Sequence, residues 1–396
     1  MPSSRTALPV VVAGMLTAVL WIVTGQAADL VHARYTYVVH SAVVRTVLPH
    51  PTGLVLGGEP PTGSTVLTAV LAGAVAAVVV LLAVRRLPRA TGRWAAFLAS
   101  WFAVVVASAV AGTAHWFASV PFPSSPDVAH SLVLSLTDGY WGLANGWVVG
   151  LAVVVTLAST DRRDEPLPSR HARALPPSRA VPAVLAAGLS ATVLWAAVGA
   201  LAVVLPRGAG TSGAGDAVHA VLLPSAMMVG PRPLDVLARP VELVLAVGVG
   251  LVVACLAALV TFRLPRSTGR CALVLSVWFA CVVASVLAAA ARRVVDRVEV
   301  FGGLHPADLA QILPFVEAAL AWGLAYGWVV GLVAMLAHQR IMRPDAAPAP
   351  AWPDASNPTP VASTDSDSDS DSDETVAVRR GDETAEARPS EDPVRA

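Results

Sequence analysis

The sequence predicts an all-α integral membrane protein: eight transmembrane helices in two parallel four-helix repeats, followed by a disordered acidic C-terminal tail. Three observations carry this reading. Of the 396 residues, 55% are hydrophobic and only 14% charged, which is more apolar and less charged than a soluble domain. Residues 86–108, RLPRATGRWAAFLASWFAVVVAS, return at 263–285 as RLPRSTGRCALVLSVWFACVVAS, a displacement of 177 positions without a gap. The formal net charge of zero also joins two different materials, since positions 1–340 hold 22 Arg against 14 acids and positions 341–396 hold 5 Arg against 13. The expected division is therefore a first membrane repeat over 1–158, a cytoplasmic linker over 159–181, a second repeat over 182–340 and the tail over 341–396.

A helix needs about 20 apolar residues to cross the hydrocarbon core. Eight stretches reach that length: 8–25, 65–84, 94–114, 139–158, 182–205, 242–262, 271–291 and 317–337. The first has Arg5 ahead of it and small residues at its end, as a secretory signal would. The repeat argues that it is retained, because Gly14 and the VLW at 19–21 recur as Gly188 and VLW at 193–195. Between the first two spans of each repeat lie long segments, 26–64 and 206–241. Within the former, Leu30, Val31, Tyr35, Val38, Val39 and Ala42 share one helical side, the pattern of an interfacial helix over 27–48.

Spans 2 and 3, and again 6 and 7, are joined by RLPR(A/S)TGR. Proline ends one helix there and Thr-Gly opens the next. Its Arg86, Arg89 and Arg93, with Arg263, Arg266 and Arg270 in the second copy, are candidates for contacts with lipid headgroups. Spans 4 and 8 read WGLANGWVVGL and WGLAYGWVVGL, setting Gly142, Gly146 and Gly150, and Gly323, Gly327 and Gly331, at four-residue steps. Such stripes let helix backbones approach closely in lipid. They are expected either to face each other across a pseudo-twofold axis or to clamp a neighbouring helix. Asn145, replaced by Tyr326 in the second copy, is expected to bond a neighbouring helix. Short segments beginning at Asp127 and Asp308 are expected to cap helices leading into the last span of each repeat.

Orientation follows the arginines. Arg85, Arg86, Arg89 and Arg93, their second-copy counterparts, the linker arginines, and Arg340 and Arg343 fall on one side if both termini are cytoplasmic. The expected location is thus the cell membrane, multi-pass, with cytoplasmic ends. Four spans per repeat give both copies the same orientation, so the pseudo-twofold axis runs along the membrane normal.

The cysteines Cys255, Cys271 and Cys281 lack metal-type spacing and read as apolar packing residues. The histidines form no HxxxH or CxxCH pattern, so neither metal nor cofactor is expected. On the outer side His115 aligns with Arg292, and His50 with Arg232 across a small gap. The four, with Arg293 adjacent, would make a cationic site for a phosphate, carboxylate or anionic lipid if they converge.

The tail contains DSDSDSDSDE and cannot bury a core. The expected partners are the lipid bilayer, an anionic lipid or small anion, and a cytoplasmic protein recruited by the tail, with no nucleic acid. No nucleophile and base are identifiable, so the chain does not read as an enzyme. The function that asks for the fewest special residues is a non-enzymatic membrane scaffold or accessory subunit. The alternative is a transporter or lipid-handling protein that receives an anionic ligand on its outer face.

Overall fold

The computed structural model describes residues 4–34, 49–51, 63–85, 87, 92–119, 136, 138–161, 177–204, 240–262, 269–303 and 308–342. All regular structure among them is helical: α1 (Ser4–Arg34), α2 (Gly63–Val84), α3 (Arg93–Ser119), α4 (Gly139–Asp161), α5 (Pro177–Val204), α6 (Pro240–Thr261), α7 (Arg270–Phe301) and α8 (Asp308–Met342). Each is long and apolar enough to cross a membrane, so the chain is a multi-pass membrane protein.

Local chemistry explains the boundaries. Helices α5 and α6 open on proline, whose fixed φ suits the first helical position. Helix α7 opens after Gly269, held at φ +87°, a left-handed conformation that costs glycine little. It closes at Gly302, φ +73°, whose N–H donates to the Val298 carbonyl at 2.9 Å in the left-handed terminating motif.

Several helices outrun their expected spans, α1, α7 and α8 the most. Helix α1 continues through 27–34 to Arg34, so the start of the expected interfacial helix prolongs α1, and residues 35–48 lie outside the described residues. No proline interrupts the chain there, and helical hydrogen bonding propagates at little cost once begun. Helix α7 passes position 291 to Phe301 because ARRVVDRVEVF remains helix-compatible. Arg292 pairs with Asp296 one turn on at 3.0 Å, and the helix stops only at Gly302 and Gly303. Helix α8 begins at Asp308, whereas Asp127 and the acidic tail lie outside the described residues.

The main contacts close two rings. Helix α1 touches α2, α2 touches α3, α3 touches α4 and α4 returns to α1; α5 to α8 close in the same order. Between the two sets run α3 against α7, α2 against α7, α3 against α6, and α4 against α8. Exchanging each helix for the one four places on leaves this set of contacts unchanged. Helices α3 and α7 therefore occupy the centre, while α1, α2, α5 and α6 turn apolar faces outward, including Val11, Met15 and Val19 on α1 and Leu185, Leu189 and Val193 on α5. Such faces suit hydrocarbon, not water.

Within each ring the first two helices cross at paired glycines. A Cβ on Gly73 would stand 2.6 Å from the Gly14 carbonyl oxygen, and one on Gly250 would stand 2.8 Å from that of Gly188 and collide with the Thr192 hydroxyl. Gly248, two residues away on α6, has nothing within 4 Å of the same added atom. The two positions separate helix propensity from close packing. Gly250→Ala is expected to destabilise the protein by about 1–3 kcal/mol, while Gly248→Ala is neutral or slightly stabilising. Thermal unfolding of both variants in one mild detergent checks the difference in sign.

Candidate functional site

The most elaborated part of the molecule is its centre, built from α3, α4, α7 and α8. Each glycine stripe lies against the neighbouring helix of its own ring, and the two stripes do not face each other. A Cβ on Gly142 would stand 2.5 Å from Val105 Cα, and one on Gly323 would stand 2.5 Å from Val282 Cα. Gly146 and Gly327 sit on the indoles of Trp101 and Trp278, with the added atom 2.9 and 3.0 Å from those residues' carbonyl oxygens. Gly150 and Gly331 sit on Phe97 and Val274 in the same manner, at 2.9 and 2.8 Å. Every contacted residue on α7 lies 177 positions beyond its counterpart on α3. At these distances any side chain would force the helices apart, so glycine sets the separation.

The close approach is fastened by indoles. Trp101 Nε1–H donates to the Leu143 carbonyl at 2.9 Å, and Trp278 Nε1–H donates to those of Gly323 and Leu324, each at 3.1 Å. A helix carbonyl already accepts its own backbone bond but keeps a second lone pair. The indole thereby satisfies its polar atom away from water, where leaving it unbonded would be costly.

Between the rings, Ala95, Leu98, Phe102, Val105 and Ala109 form a buried stripe on α3. Their spacing of three and four residues is that of a knobs-into-holes helix seam. The residues 177 positions on, Ala272, Leu275, Phe279, Val282 and Val286, pack in the same cluster. Four rings interlock at the seam: Trp101 with Phe279 at 4.9 Å, Phe102 with Trp278 at 5.0 Å, and Phe102 with Phe279 at 6.2 Å between centroids. Phe102 is wholly buried and Phe279 all but so. Ser276, buried beside them, donates to the Ala95 carbonyl at 3.4 Å. The WF dipeptide shared at 101–102 and 278–279 carries this seam, and its presence in both copies is the sequence signal for it.

The cations expected on the outer side, and the turn arginines, are placed only in part. His50 and His115 are half-buried and engaged by neighbouring groups. Arg292 is committed to Asp296. Arg293 approaches the same carboxylate at 3.6 Å and lies 3.2 Å above the centre of the Phe315 ring, a cation–π contact. Arg232 lies outside the described residues, as do Arg86, Arg89, Arg263 and Arg266. Arg93 and Arg270 are the first residues of α3 and α7, and both are exposed.

The two rings place their buried polar groups differently, the second burying Glu317 and His338 on α8. In the first, Trp141 packs edge-on to Trp21 at 5.0 Å and donates to Thr24 Oγ1 at 2.8 Å. In the second, Trp322 meets Trp195 at 4.7 Å, with Val198 where Thr24 stands. The first ring also buries Asp29 and Asp138, the latter pressed against Gly112, and Ala289 and Ala319 occupy the positions matching Gly112 and Asp138. Asn145 donates to the Trp141 carbonyl of its own helix at 3.0 Å, not to a neighbouring helix as expected. The carbonyl one turn back is its nearest acceptor. Of the cysteines only Cys281 packs inside, beneath Gly327; Cys255 and Cys271 are exposed. Among the described residues no three His, Cys, Asp or Glu side chains gather as a metal site.

Phe102 and Phe279 occupy matching places, so Phe102→Ala and Phe279→Ala should each cost about 3–5 kcal/mol and differ little from one another, as measured by thermal unfolding in detergent. Neither a family model, nor a curated protein, nor a solved structure matches this chain.

Proposed function

We propose that this protein is a non-enzymatic membrane scaffold or accessory subunit, built from two parallel four-helix repeats related by a pseudo-twofold axis along the bilayer normal. The observation that carries this reading is the filled centre. Where a parallel-repeat carrier keeps a path near the midplane, α3 and α7 bury Phe102, Phe279, Val105 and Val282 against each other. The invariance of the helix contacts on exchanging the two rings supports the pseudo-twofold relation, and the 177-residue displacement supports its origin in a duplicated unit.

In this reading the glycine stripes make two rigid bundles and the aromatic seam joins them. The outward apolar faces of α1, α2, α5 and α6 contact lipid or the spans of a larger assembly. Both termini are cytoplasmic in the cell membrane, and the acidic tail beyond position 341 recruits a cytoplasmic protein. The arginines of the RLPR(A/S)TGR turns rest on anionic headgroups, each contributing on the order of 1 kcal/mol near a charged leaflet.

The reading is tested by purifying the full chain in mild detergent and identifying what accompanies it by mass spectrometry. A scaffold brings down a defined protein in fixed ratio, and deleting residues 345–396 removes any cytoplasmic member. Recovery of the protein alone, saturably binding a small anion or headgroup with loss of binding in His115→Ala or Arg292→Ala, would favour ligand handling instead. Orientation has a separate check. A cysteine placed in the 159–181 linker of a cysteine-free variant should resist membrane-impermeant thiol reagents in intact cells and react after permeabilisation.

A further inference from the structure

The seam is chemically alike on its two sides. Four of the five stripe positions carry the same residue on α3 and α7: Ala95 and Ala272, Leu98 and Leu275, Phe102 and Phe279, Val105 and Val282. A surface that meets its own copy across a twofold is self-complementary. Such a seam, taken by itself, would accept the corresponding half of a second chain as readily as the sister half.

Beyond the fifth pair, Ala109 and Val286, the likeness breaks where the two halves touch at matching positions. Helices α4 and α8 meet where Gly139 faces Leu320, a wholly buried residue. A Cβ on Gly139 would stand 2.6 Å from Leu320 Cδ2 and 3.4 Å from Leu324 Cδ1. The sequences around this contact are otherwise nearly the same: 139–151 read GYWGLANGWVVGL and 320–332 read LAWGLAYGWVVGL. Position 139 thus matches position 320, and the contact between them joins matching positions. Two matching positions that touch each other lie at the pseudo-twofold axis, where there is room for one leucine side chain and not for two.

We propose that Gly139 and Leu320 form a steric key that directs each half to its sister half and away from the like half of a second copy of this chain. Pairing two first halves would set Gly139 against Gly139 and leave the leucine's space empty. Pairing two second halves would set Leu320 against Leu320 and overfill it. Both cost stability, the first through a cavity and the second through strain. Discrimination between partners is then achieved by penalising the wrong pairing on a surface that otherwise fits both. This rests on the two-repeat reading given above.

The test is a double-mutant cycle in the full chain, read by thermal unfolding in one detergent. Gly139→Leu and Leu320→Gly are each expected to lower the midpoint by several degrees. The exchanged variant carrying both should unfold well above the midpoint that adding the two losses gives, because the key has only been reversed. Strict additivity, a Gly139→Leu variant as stable as the parent, or a combined variant that fails to fold would each overturn the proposal. If Gly139→Leu alone does not accumulate, Gly139→Ala and Leu320→Ala, singly and together, repeat the comparison with the same expectation of less-than-additive loss. Failure of the two-repeat reading has a different signature, unequal losses in Phe102→Ala and Phe279→Ala.

Discussion

Everything in this molecule depends on how closely two helix backbones can approach where apolar burial gives no net drive. In water a leucine face is drawn to another leucine face; in hydrocarbon it is already solvated. What remains is van der Waals contact between close surfaces, together with polar atoms that have nowhere else to bond. The glycines of α4 and α8 supply the first by bringing the helix surface to the Cα atoms of Val105 and Val282. The indoles of Trp101 and Trp278 supply the second by reaching carbonyl oxygens across the gap that the glycines keep narrow. The two depend on each other, since a wider separation would carry the indole out of bonding range.

From this follows a hierarchy of contacts. Glycine crossings pair α1 with α2 and α5 with α6, glycine stripes pair α3 with α4 and α7 with α8, and an aromatic seam joins the two sets. Large rings at the seam contribute contact area with few rotatable bonds, and edge and tilted ring packing adds about 0.5–1.5 kcal/mol per pair beyond burial. The same residues thus fix the fold and fill the space between the two rings.

The rings share a scaffold and diverge in what they enclose. The first holds Thr24, Asn145 and Asp138 at positions where the second holds Val198, Tyr326 and Ala319. Buried carboxylates are costly in a membrane protein and are retained where they have partners or a task; Asp29 and Asp138 are both engaged by neighbouring groups. The second ring buries Glu317 and His338 on α8 and extends α7 past the span, where Arg292 and Arg293 pair with Asp296.

The helical class and the eight apolar helices were legible in the sequence because apolar length, like recurrence at a fixed displacement, is a one-dimensional property. The glycine stripes were legible as stripes for the same reason. Their partner was not, because a four-residue period says that a helix has a flat side and nothing about which helix lies against it. The Gly14–Gly73 crossing, the indole bonds and the Phe102–Phe279 contact join residues tens to hundreds of positions apart. Asn145 bonding within its own helix and α1 continuing to Arg34 were likewise decided by local acceptors and uninterrupted helix, not by the outer-loop pattern. What the sequence determined alone is a set of eight apolar, membrane-length helices and a segment that recurs 177 positions on. Only the tertiary structure decided that Gly139 and Leu320 meet, because a steric fit exists only between surfaces that have met.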